Sequence, residues 1–424
     1  MSTCAIVGIN WGDEGKGRMV DYLAGVYDVI VRYQGGNNAG HTVMNEYGKF
    51  ALNLLPSGIF HKDKINLLGA GTVVDLKHLV EEIGRVRSQG VEISPDNLKI
   101  SDRAIIVFPF YPLLDEMEEE RLAGEKYGST KRGIGPVYGD KYMKKAIQMG
   151  DLLRPKSLEK HLHTLIDWKN ASLTGIYAHE PISRESIDEW LDSYAKPLKP
   201  YIADAGEVLK NAVKQGKSIL FEAQLGALRD IQYGIYPFSS SSSPLAAYAP
   251  VGCGLPSLKV DNVVGVVKAY STCVGEGPFV GELTDETGDW IRTAGGEYGA
   301  ATGRPRRVAW LDIVATKYGV ELQGADELAL TKLDVLSGLE KIPVCVGYKL
   351  NGETVTSFPY TPDLYDCEPV YVTLNGWDED LTGVRSFDAL PKAAREYVLF
   401  CEEKLACPIK YVSVGPDREQ LIIR

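Results

Sequence analysis

Gly8-Ile-Asn-Trp-Gly-Asp-Glu-Gly-Lys-Gly-Arg18 follows the apolar run Ala5-Ile-Val7 and precedes the amphipathic Met19-Val-Asp-Tyr-Leu-Ala24. Strand, glycine loop and helix in that order aim successive backbone N–H groups and a helix N-terminus at one point, which seats a phosphate. Lys16 adds a point charge there. The loop differs from a Walker loop, which needs a Gly five residues before its Gly-Lys pair and a Ser or Thr after the Lys. Asn10 and Gly17 hold those places, so the magnesium-binding hydroxyl is missing. Asp13 and Glu14 stand in the loop instead. A carboxylate among phosphate-seeking amides suits a cation or a proton transfer, which makes Asp13 the first catalytic candidate. The plainer reading is a solvated turn, for which Gly and Asp are favoured.

A second segment weighs against that plainer reading. After the expected strand Val29–Tyr33 comes Gln34-Gly-Gly-Asn-Asn-Ala-Gly-His-Thr42, another glycine-rich turn, here carrying a His. Histidine exchanges a proton near neutral pH. His61, His78, His161, His163 and His179 sit in ordinary helical or loop contexts, whereas His41 is framed by glycines at a strand end.

Away from these loops, composition bounds the chain. It has 424 residues, 44% hydrophobic and 24% charged, enough for a large core. No charged-then-apolar leader opens it and no run approaches the roughly 18 apolar residues that span a bilayer, so a cytoplasmic protein without a membrane partner is expected. Seven scattered Cys lack paired metal spacing and read as reduced structural thiols. The formal net charge of −11, from 46 basic and 57 acidic side chains, disfavours nucleic acid as a partner. Basic residues cluster locally instead: Arg304, Arg306 and Arg307, beside Thr302 and Gly303, read as a compact anion site, with Lys144 and Lys145 a second candidate.

No linker or internal repeat interrupts the chain, and residues 1–424 are expected to form a single domain. The runs Ala5–Ile9, Val29–Val31, Ser218–Phe221, Val260–Ala269 and Leu328–Leu330 read as strands, several unbroken, as in strands covered on both faces. Helical periodicity marks Leu114–Glu125, Leu158–Trp168 and Glu207–Gln215. Their alternation predicts an α/β protein: a large, mostly parallel central sheet flanked by helices, a P-loop-like phosphate-binding loop and smaller antiparallel additions. Asn351-Gly352 suits a tight hairpin turn between Val344–Leu350 and Thr354–Phe358. Thr331-Lys-Leu-Asp334 ends an apolar run with an Asp, which can accept hydrogen bonds from guanine N1–H and its 2-amino group, a donor pair that adenine lacks.

Trp11-Gly-Asp-Glu-Gly-Lys-Gly17 with Gln34-Gly-Gly-Asn-Asn-Ala-Gly-His-Thr42 resembles adenylosuccinate synthetase, which joins IMP to L-aspartate with GTP. Thr130-Lys-Arg-Gly-Ile-Gly-Pro136, Ala301-Thr-Gly-Arg-Pro-Arg-Arg307, Thr331-Lys-Leu-Asp334 and Ser413-Val-Gly-Pro-Asp-Arg418 follow in the family's order, so the resemblance runs the length of the chain. It implies phosphoryl transfer from GTP to the purine 6-oxygen, then displacement of phosphate by the aspartate amine. Asp13 would take the N1 proton, His41 would donate to the moving phosphoryl group, Lys16 would contact it, and Asp13 with the Gly40 carbonyl would hold Mg²⁺. GTP would meet Gly12, Glu14, Gly15, Gly17, Gly40, Thr42, Arg306, Lys332, Asp334, Ser413 and Gly415. IMP would meet Asn38, Thr130, Lys144, Gln224 or Leu225, Ser240 and Arg304. Aspartate would meet Arg132, Ala300, Ala301, Thr302, Arg304 and Arg306. A homodimer is also implied, since a basic residue aligned with Lys144 crosses to the neighbouring subunit's IMP.

Departures from the family cluster around the IMP site. The family's Phe-Glu-Gly-Ala-Gln-Gly is Phe221-Glu-Ala-Gln-Leu-Gly226 here, which puts Leu225 in the glutamine's place and Gln224 one residue early. Lys144 replaces an Arg, Ala301 a Thr, Arg18 a Lys and Ser240 a Thr. Two other readings therefore stand beside the IMP–aspartate ligase. One is a paralogue acting on another 6-oxopurine nucleotide such as GMP or dGMP, or on another amine. The other is a GTP-binding switch protein.

Overall fold

The computed structural model describes residues 1–299 and 303–424, so Ala300, Ala301 and Thr302 lie outside the described residues. Its centre is a ten-stranded sheet. The strand order is Leu421–Ile423, Ile409–Ser413, Glu327–Thr331, Asn262–Lys268, Thr3–Gly8, Ile219–Glu222, Val29–Arg32, Ile65–Leu68, Leu98–Ser101 and Ile202–Ala203. Only Leu421–Ile423 pairs antiparallel within it.

Thr3–Gly8 is buried along its whole length because both sheet faces are covered. Ala5 and Val7 pack with Val31, Phe221 and Leu209 of the helix Ala205–Lys214. Cys4 and Ile6 pack with Leu220 and Val264 against Met19, Val20 and Ala24 of the helix Lys16–Ala24. Full burial of one such side chain contributes about 1.5–3 kcal/mol, which explains unbroken apolar strands where a half-exposed sheet would show alternation. Strands later in the chain extend the sheet on both sides of Thr3–Gly8, so the loops leaving its C-terminal edge converge there, the usual ligand crevice of an open α/β sheet.

The expected helices form as Phe110–Leu122, Pro155–Tyr177 and Ala205–Lys214. Asn351 and Gly352 take φ of 53° and 84° between Lys341–Leu350 and Glu353–Val355, the pair of positive values a two-residue hairpin requires. A second hairpin, His41–Asn45 with Gly48–Leu52, was not expected. Its first strand alternates buried and exposed over His41, Thr42, Val43 and Met44, a period-two signal masked by the glycines before it.

Candidate active site

A cavity of about 1390 Å³ opens at the C-terminal edge of the sheet, and the loops after six strands line it. Gly12 and Gly15 take φ of 111° and 96°, which only glycine adopts without strain, and Asp13 between them takes 60°. Glu14 organises the loop from within. Its Oε1 accepts from the backbone N–H of Gly12 at 2.8 Å and of Asn10 at 3.2 Å, and its Oε2 holds Lys16 Nζ at 2.7 Å. Both side chains are buried, so Glu14 fixes the loop and the lysine rather than meeting solvent. Thr331 Oγ1 donates to the Glu14 carbonyl at 2.7 Å and ties the loop to the end of Glu327–Thr331, two strands away in the sheet.

Gly17 stands where a Walker hydroxyl would be for a packing reason. A Cβ there would lie 2.9 Å from His41 Cβ and 3.3 Å from His41 Cα. The bare helix start lets the histidine backbone close on it.

His41 Nδ1 is bonded to Glu222 Oε1, and Glu222 also accepts from Ser57 N at 2.8 Å and Ser57 Oγ at 2.6 Å. Burial lowers the His41 pKa, opposed by the Glu222 carboxylate. Burial acts to raise the Glu222 pKa, but His41, Arg32 and Ser57 outweigh it and leave it below the usual carboxylate range. An ionised Glu222 accepts the Nδ1 proton and leaves Nε2 as the exchanging nitrogen. Glu222 was missed from sequence, although a carboxylate closing the fully buried strand Ile219–Glu222 was a visible signal.

Asp13 Oδ2 approaches Arg306 Nε at 2.9 Å, and Arg306 Nη1 donates to Glu297 Oε2 at 2.6 Å. Glu297 is fully buried against Lys268 Nζ, 2.9 Å from both oxygens, and takes the Tyr270 hydroxyl at 2.5 Å. Burial would raise its pKa, but Lys268, Lys332 and Arg306 pull it down to about 2. The arginine cluster is therefore not one compact anion site. Four carboxylates divide it: Arg306 goes to Glu297 and Asp13, Arg307 to Glu282 at 2.6 Å, and exposed Arg304 lies 3.3 Å from Glu276, away from the cavity wall.

Of the other expected residues, Asn38, Gly40, Thr42, Thr130, Leu225, Ser240, Lys332, Asp334, Ser413 and Gly415 line the same cavity. Arg132, Lys144 and Gln224 do not. Leu225, with φ of 61°, faces the cavity, while Gln224 is fully buried behind it and bonds Arg32 and, through Nε2, Asn38 Oδ1 at 2.6 Å. One residue of shift reverses the side chain, so Gln224 acts on the cavity through Asn38. Lys144 is exposed, and Lys145 sits over the Trp168 ring, 3.7 Å from its centroid. Arg18 and Arg229 line the cavity and were not among the expected ligand contacts. Burial raises the Asp334 pKa, opposed by Lys332 and Arg18.

The sequence model of adenylosuccinate synthetase matches residues 5–422. The chain belongs to the adenylosuccinate synthetase family. Adenylosuccinate synthetases from Caldanaerobacter subterraneus and Heliobacterium modesticaldum are each 48% identical to it, over 100% of this chain and 99% of theirs. The structure of fully ligated adenylosuccinate synthetase from Plasmodium falciparum superposes with a TM-score of 0.94 at 37% identity, covering 100% of both chains. A cyanophage S-2L succinoaminodeoxyadenylate synthetase, bound to dGMP and to dATP as an energy donor, shares the fold at a TM-score of 0.64 and 19% identity, covering 100% of this chain and 95% of that one. Family membership makes the chain a GTP-dependent ligase of purine biosynthesis. Among the described residues, no helix is long and apolar enough to cross a membrane.

Proposed function

We propose that this chain joins IMP to L-aspartate through a 6-phosphoryl intermediate, with the roles divided among the cavity residues as follows. The observation that carries the reading is the convergence of Asp13, Lys16, His41 and Arg306 on one cavity from three separate segments of the chain. Asp13 removes the N1 proton of the 6-oxopurine and so makes the 6-oxygen nucleophilic. Its left-handed backbone and its ion pair with Arg306 hold the carboxylate in place. His41, backed by Glu222, donates from Nε2 to the phosphoryl oxygens as charge develops. Lys16 offsets that charge at the phosphate loop, and Glu14 keeps it there.

Asp334 and Lys332, with Ser413 and Gly415, read the guanine. Arg306 is the residue on the cavity wall best placed for an aspartate carboxylate; Arg304 and Arg132, away from that wall, join it in our assignment only by family membership. Asn38, Thr130, Ser240 and Leu225 form the IMP wall.

A carboxylate at Asp13 and a carbonyl at Gly40 are hard oxygen donors on the cavity wall, which suit Mg²⁺ when phosphates supply further ligands. Held by those two oxygens, the ion would supply charge neutralisation at the transferring phosphoryl group. We further propose a cytoplasmic homodimer, in which exposed Lys144 serves the partner's site. Seven free cysteines agree with a reducing compartment.

Phosphate release with Mg-GTP, offered IMP, GMP or dGMP with and without L-aspartate, tests the reading. Release that requires IMP and aspartate together, with adenylosuccinate as product, supports it. Release with GMP or dGMP alone among the purines would replace IMP by another 6-oxopurine, and release without purine or amine would make the chain a GTPase.

A further inference from the structure

The helix that starts at the phosphate loop carries Arg18 across the cavity to the segment Ser413–Asp417. There the guanidinium donates through Nη1 to Ser413 Oγ and to the Gly415 carbonyl at 2.7 Å, and through Nη2 to the Asp417 carbonyl. Burial lowers its pKa to about 10, opposed by the charges of Asp334 and Asp417, so it remains a cation at neutral pH. An Arg thus stands among the groups assigned to the donor base, with two of its five N–H donors beyond those three bonds.

We propose that Arg18 is a base-specificity residue that reads position 6 of the donor nucleotide's purine, favouring a 6-oxo acceptor over a 6-amino donor. The inference rests on the assignment of the base to Asp334 and Ser413–Gly415. A guanine edge presents one acceptor, O6, beside two donors, N1–H and the 2-amino group. Asp334, as a carboxylate, can only accept, and Arg18 can only donate, so the two divide that edge by sign. Adenine reverses both: its 6-amino group would face the guanidinium and its N1 lone pair the carboxylate. The fold alone does not set this choice, because the related cyanophage enzyme is described with dATP as energy donor. Arg18 also fixes the loop that carries Ser413 and Gly415, so a purely structural role must be separated from base reading.

Displacement of a ribose-labelled fluorescent GDP by GDP, 6-thio-GDP and IDP does so, and it needs no second substrate. Sulfur at position 6 is a weak acceptor, whereas IDP lacks only the 2-amino group. The wild-type chain should prefer GDP to 6-thio-GDP by about tenfold or more, the scale of one charged hydrogen bond. Arg18→Met should reduce that ratio below about threefold and leave GDP over IDP unchanged; Asp334→Asn should reduce GDP over IDP. Where Arg18→Met fails to fold, Arg18→Lys carries the test and should lower the position-6 ratio alone. Equal weakening of all three nucleotides by the Arg18 variants, or no position-6 preference in the wild type, overturns the proposal. Binding with the expected ratios but without ligase turnover would instead sink the proposed reaction and leave the base reading standing.

Discussion

Replacing Glu222 by Gln tests the least local feature of the site. The carboxylate accepts the His41 Nδ1 proton and two bonds from Ser57, and it is fully buried. Gln is close in size but has one acceptor oxygen and an NH₂ donor. If its oxygen keeps His41 and Ser57 Oγ, the NH₂ meets the Ser57 N–H donor; if it flips, the NH₂ meets His41 and forces the proton to Nε2. Either arrangement removes the charge that supports an imidazolium. A hydrogen bond to a charged group contributes about 1.5–3 kcal/mol, so kcat should fall about 10- to 150-fold, with the KM for the amine little changed.

The pH profile adds a sign. Glu222 raises the His41 pKa against burial, so its loss lowers that pKa further. The limb along which activity falls with rising pH, as His41 deprotonates, should therefore move to lower pH. Adenylosuccinate formation followed by absorbance, with the denaturation midpoint recorded alongside, reads all three quantities. A folded Glu222→Gln protein within about threefold of wild-type kcat, with an unmoved pH limb, would refute the assignment of His41 as the phosphoryl donor.

Further outcomes follow from the same geometry. Gly17→Ala gains about 0.5–1 kcal/mol of helix propensity, but its Cβ would meet His41 at 2.9 Å. Overpacking of that kind costs about 1–3 kcal/mol, so kcat should fall and thermal stability should not rise; a more stable, fully active variant would contradict the contact. Asp13→Asn keeps a residue tolerant of the left-handed backbone and should fold normally while kcat falls about 10²- to 10⁴-fold, measured as phosphate release. Against its burial, Lys268, Lys332 and Arg306 hold the Glu297 carboxyl down to about 2 in the folded chain, below the ordinary 4.5 of a glutamate. Because the folded value is depressed, its stabilisation of roughly 3 kcal/mol is complete above about pH 4.5 and is lost as pH falls toward 2. Glu297→Gln should flatten denaturation curves across that window and destabilise the chain at neutral pH by about 3–5 kcal/mol, since Lys268 and Arg306 lose their buried counter-ion.

The phosphate loop and the parallel sheet were legible because each is written locally: glycines where φ must be positive, and apolar runs where both faces are covered. Asp13, Lys16 and His41 were legible for the same reason, as chemistry-bearing residues inside glycine loops. Glu222 was not, because it lies 181 residues from His41 and only the sheet register brings them together. The arginine cluster misled because adjacency in sequence hid four separate carboxylate partners, each supplied from elsewhere in the chain. At Leu225 and Gln224 the sequence showed a shift of one residue but not its result, which needed the positive φ of Leu225.

The central claim is that GTP activates the purine 6-oxygen. Labelling IMP with ¹⁸O at that position and analysing the released phosphate by mass spectrometry tests it most directly. The account predicts one ¹⁸O in each phosphate released with adenylosuccinate. Unlabelled phosphate, with the label lost to water, would contradict it.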